Sequence, residues 1–67
     1  SGLSSFGELA QEYLPRINPA SASRRLKAWI ERNRPLSHSL AETGYQKGLK
    51  TLTPAQVKLI VEYLGWP

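Results

Sequence analysis

The chain has 67 residues, with nine Lys or Arg, five Glu, one His, no Asp and no Cys, for a net charge of +4. That length allows one domain, which buries only about 60% of its unfolded surface. The composition excludes disulfides and thiolate metal centres, and no apolar run approaches the ~20 residues of a membrane span.

The chain opens on Ser1-Gly2 rather than Met, the pattern of a processed or tagged product. Residues 1–4 are therefore expected to be a disordered or tag-derived tail, with one domain over 5–67. A first helix is predicted from Ser5, because Ser5-Phe6-Gly7-Glu8 has the spacing of a capping box. Phe6, Leu9, Ala10, Tyr13 and Leu14 share one face of it. Pro15 stops it and biases Leu14 towards extended backbone.

A second helix starts at Asn18, with Pro19 in its first position. It runs to about Asn33, where Pro35 opposes continuation. Ala22, Leu26, Trp29, Ile30 and Asn33 form its inward stripe, and Ala20, Arg24, Lys27, Ala28 and Glu31 lie opposite. Residues 16–34 hold most of the positive charge: Arg16, Arg24, Arg25, Lys27, Arg32 and Arg34 against Glu31 alone, a sum of +5.

A third short helix is predicted over 35–43, with Leu36 and Leu40 inward. Gly44 would stop it in a Schellman motif, with Tyr45 packing back on Leu40. Residues 45–52 contain a Lys47-Gly48 turn signal and read as a short hairpin or an irregular loop. The last helix has the best start: Thr53 as N-cap, Pro54 next, Gln56 completing a T-x-x-Q box, and Leu52 with Val57 as a staple. Val57, Ile60, Val61 and Leu64 would be buried, Gly65 would end the helix, and Trp66 would fold back on Val61. The core is expected from these residues with Phe6, Leu9, Tyr13, Leu26, Trp29, Ile30 and Leu40. The fold class is mostly α: a compact, helix-turn-helix-like four-helix domain, with or without a β-hairpin wing before the last helix.

Nothing in the chain asks for catalysis. His38 is alone, and the glutamates fall on predicted solvent faces. No catalytic residues, metal ligands, cofactor or small-molecule substrate are expected. The basic second helix suits an anionic groove, with DNA the first candidate partner. Arg24 and Lys27 project outward and could read a major groove, while Ser21 and Ser23 could reach phosphates. Arg25, Arg32, Lys47 and Lys50 add positive charge, the lysines in a loop placed like a wing. The plain alternative is a solvated, charged helix face. A competing function is a protein-interaction or homodimerisation module. Leu59 and Tyr63 either pack under the first helix or form an exposed patch with Trp66.

Two resemblances add to this reading. Glu8-Leu9-Ala10, the segment Ala22 to Trp29 (ASRRLKAW), Gly44-Tyr45 and the capped start at Thr53-Pro54 resemble winged-helix domains of the mercuric-resistance-regulator type and the phage excisionases. That resemblance implies DNA contacts from Ser23, Arg24, Arg25, Lys27, Tyr45 and Lys47. The ending GYQKGLKTLTPAQVKLIVEYLGWP is similar to a family of small bacterial domains of unknown function. This second resemblance covers nearly the whole chain. It implies a bacterial cytoplasmic protein and supplies no activity.

Overall fold

A computed structural model describes residues 4–67. Its elements in chain order are β1 (Ser4–Ser5), α1 (Phe6–Tyr13), α2 (Pro19–Arg32), α3 (Arg34–Glu42), β2 (Thr51–Leu52) and α4 (Pro54–Leu64). The mostly-α, four-helix architecture expected from the periodicity is present. Ser4 was expected to fall in a tail and is paired in β1; the rest of that tail, residues 1–3, lies outside the described residues.

Each helix begins where a side chain can take up a free backbone N–H. Ser5 Oγ accepts from Glu8 N–H at 3.2 Å. Asn18 Oδ1 accepts from Ser21 N–H at 3.0 Å, ahead of Pro19. At Thr53 both halves of the capping box form: Gln56 N–H donates to Thr53 Oγ1, and Thr53 N–H donates to Gln56 Oε1.

Asn33 has two roles. Its N–H closes the last turn of α2 on Trp29 and Ile30 carbonyls, and its Oδ1 accepts from Leu36 N–H at 3.1 Å to open α3. One residue therefore joins the two helices. Ser37 Oγ reinforces the corner by donating to the Ile30 carbonyl at 2.6 Å. The link between α1 and α2 is longer, and Gln11 Nε2 holds it by donating to the carbonyls of Leu14 and Ile17.

The end of α3 has the Schellman pattern. Tyr45 N–H donates to Leu40 O, Gly44 N–H donates to Ala41 O, and Gly44 takes φ +88°. The chain then makes a turn at Gln46–Leu49, with Gly48 at φ +94° in the position where a type II turn needs it. An antiparallel strand pair does stand before the last helix, but its other strand comes from the chain's start. Ser4 lies opposite Leu52 and Ser5 opposite Thr51, and Phe6 N–H donates to Lys50 O at 2.8 Å. Residues 45–50 are a loop stitched to the first helix.

The core comprises Phe6, Leu9, Ala10, Ala22, Leu26, Ile30, Leu36, Leu40, Leu52 and Ile60. Tyr13, Trp29, Val57, Leu59 and Leu64 pack against it half-buried. Tyr13 and Trp29 meet edge to face at 6.1 Å between centroids. The inward face of α4 is rotated from the expected stripe. Gln56, 4% exposed, and Ile60 are buried, whereas Val61 is half-exposed and outside the core cluster. Gln56 can go inside because both polar atoms of its amide have a partner: beyond the capping box, its Nε2 donates to Thr43 Oγ1, which donates to Leu40 O. Trp66 does not fold back as a cover; it is 86% exposed.

Candidate nucleic-acid interface

The polar side chains of α2 are arranged by its burial. Ala22, Leu26 and Ile30 define the inward line. At about 100° per residue, Ser23 and Lys27 fall on one flank of that line, and Arg25 and Arg32 on the far side. Lys27 and Arg25 point about 160° apart. The basic residues therefore do not form one surface.

One subset converges. Ser23 and Lys27 of α2 and Lys50 of the loop line a cleft of about 310 Å³ with Ser5, Phe6, Gly7, Gly48 and Leu49. The Lys27 ammonium sits 5.9 Å from the Phe6 ring centroid, a cation–π contact that holds it at this cleft. The first turn of α1 forms one wall, where the positive end of a helix lies. Gly7 keeps that wall low: its nearest side-chain neighbours are Ser5 Oγ and Ser23 Oγ. Sequence reasoning missed the contribution of Phe6 and Gly7. Their signal was Gly7 in the first turn of a capped helix, a residue too small to hold the cleft shut.

The other expected site residues are placed as follows. Arg24 is exposed beside the cleft's flank, its guanidinium donating to Ser21 Oγ at 3.1 Å. Arg25 and Arg32 are exposed elsewhere on α2, and Arg32 borders a shallow hollow with Trp29, Arg34 and Leu64. Among the described residues none of these arginines has a carboxylate partner. Lys47 does: its Nζ is 3.1 Å from Glu31 Oε2. That pair neutralises the lysine expected to lead the wing and the glutamate in the last turn of α2. Tyr45 is half-buried beside it, and burial, then the charge of Glu31, raises its hydroxyl pKa above 10.0. Leu59 packs inward and Tyr63 is 42% exposed, so Leu59, Tyr63 and Trp66 do not make one patch.

Among the described residues there is no group of three or more His, Asp or Glu side chains placed to hold a metal ion, and no helix is long and apolar enough to cross a membrane. The chain matches the family described as Domain of unknown function (DUF4248) over residues 2–67. No curated protein and no solved structure matches it.

Proposed function

The chain belongs to the DUF4248 family, and we propose that it binds DNA as a small accessory or regulatory protein. The observation that carries this reading is the cleft shared by Ser23, Lys27 and Lys50. It joins the second helix and the 45–50 loop, the two elements from which the winged-helix resemblance draws its DNA contacts. A phosphate at this cleft would meet two ammonium groups, a hydroxyl and the N-terminal turn of α1. Arg24, uncompensated on the adjoining face, would extend the contact along the duplex. Lys47 would contribute little, because Glu31 already holds it.

The test is a titration with a random-sequence labelled duplex at low and moderate salt. The expected result is micromolar binding that falls steeply with salt. Lys27→Ala/Lys50→Ala should weaken it and lower the salt slope by about two, one for each lost phosphate contact. Arg25→Ala, on the far flank, should change it less. Absence of binding at tens of micromolar, where even non-specific contacts register, would overturn the reading.

A further inference from the structure

We infer that the domain carries a second docking surface, an apolar trough that takes a basic amphipathic helix of a partner protein. The trough runs along the outer side of α4. Its main part, about 760 Å³, is lined by Ser4, Pro54, Val57, Lys58, Val61, Glu62 and Trp66. A side bay of about 270 Å³ continues from Ser4, Val57, Val61 and Trp66 to Leu9, Glu8 and Glu12 of α1. Val57 and Val61, one turn apart, form the floor, and Trp66 stands as a wall at 86% exposure. So exposed a tryptophan beside two half-buried valines marks an interaction surface, and tryptophan is a frequent anchor of interfaces.

Charge identifies the occupant. The chain has five glutamates. Glu31 is paired with Lys47, and Glu42 lies against His38. The other three, Glu8, Glu12 and Glu62, have no ion pair among the described residues, and all three rim this trough. Lys58 is the one basic side chain there. In a molecule of net charge +4, the unpaired acid is thus collected around the half-buried apolar floor. A helix with apolar residues at i, i+3, i+4 and i+7 and Lys or Arg beside them is complementary to both features. A second copy of this chain is not. Two troughs face to face would oppose glutamate to glutamate, and the apolar stripes of α1, α2 and α3 are committed to the core.

The experiment uses two labelled synthetic helices with the same leucine spacing, one with lysine and one with glutamate on the polar positions, titrated by fluorescence anisotropy. The Leu/Lys peptide should bind and the Leu/Glu peptide should not. Trp66→Ala removes a side chain that supports no core and should weaken binding roughly tenfold or more. Glu8→Gln/Glu12→Gln/Glu62→Gln should weaken it and flatten its salt dependence, while Lys27→Ala/Lys50→Ala leaves it unchanged. That last variant separates this surface from the DNA reading. Equal binding of the two peptides, or indifference to the triple glutamine variant, would overturn the inference. A wild-type dimer in sedimentation that Val61→Glu dissociates would also overturn it, by assigning the trough to a second copy.

Discussion

Gln56 carries three hydrogen-bonding duties in one buried side chain and its own N–H: it closes the Thr53 box from both sides and reaches across to Thr43. Gln56→Leu would keep the bulk but leave the Thr53 N–H unpartnered, at a cost of about 1–3 kcal/mol. Gln56→Glu would retain one acceptor but put a charge in an apolar setting. It should be destabilised at neutral pH and partly recover as pH falls and the carboxyl is protonated. Urea unfolding at two pH values distinguishes these outcomes. The tyrosines predict the alkaline limit. Burial, then Glu12, raises the Tyr13 pKa above 10.0, and burial, then Glu31, does the same for Tyr45. A raised folded pKa means that the unfolded chain ionises first. Their contribution is therefore intact below pH 10 and is lost as pH climbs through the folded values. Thermal melts from neutral to strongly alkaline pH should show Tm falling only above that point. Tyr13→Phe should remove part of this slope, while also losing the bond from its hydroxyl to the Gly65 carbonyl.

At the scale of elements, the single-residue joint at Asn33 is the most sensitive position. Asn33→Ala removes the cap of α3 at the point where α2 ends, with an expected loss of about 1–2 kcal/mol. Asn33→Asp should lose little, since it keeps the accepting oxygen between Arg32 and Arg34. Paired urea titrations would show whether this order holds. The legibility of these elements followed their range. Helix starts at Ser5, Asn18 and Thr53 and the stop at Gly44 are written in residues within one turn of the event, so the sequence alone located them. β1 was not legible: two serines have no strand character, and what pairs them with Thr51–Leu52 is the distant return of the chain. The rotation of α4 was hidden for a related reason. Val61 has the hydropathy of a core residue and Gln56 does not, yet Gln56 finds its partners in the cap of its own helix and the end of another. The candidate interface was half legible. The basic residues were plain, but the convergence of Lys27 with Lys50, and the neutralisation of Lys47 by Glu31, required the placement of the 45–50 loop.

The molecule as a whole is small enough that single changes matter. A chain of this length has about 3–10 kcal/mol of stability in total. Leu26, fully enclosed between the helices, should cost about 2–5 kcal/mol when cut to Ala. Leu26→Ala is therefore expected to show a partly unfolded baseline in circular dichroism before denaturant is added. Charge acts at the same scale. Arg16, Arg24, Arg25, Arg32 and Arg34 have no acid partner among the described residues, so their mutual repulsion opposes compaction. Raising salt from about 0.01 M to about 0.15 M shortens the Debye length from about 30 Å to about 8 Å. Tm should rise over that interval, and less so in Arg25→Gln/Arg32→Gln.

The strand pair, the Tyr13–Gly65 bond and the trough wall together bring Ser4 and Trp66 to the same side of the molecule. Ser4 and Pro67 line the same side bay of the trough, so these two points of the fold can be joined. A short glycine-serine bridge from Pro67 to Ser4, with new ends cut between Lys47 and Gly48 in the exposed turn, should give a circular permutant with the same four helices. The same property suits the domain to grafting into a surface loop of a host protein, because its entry and exit points would hardly disturb the host's spacing.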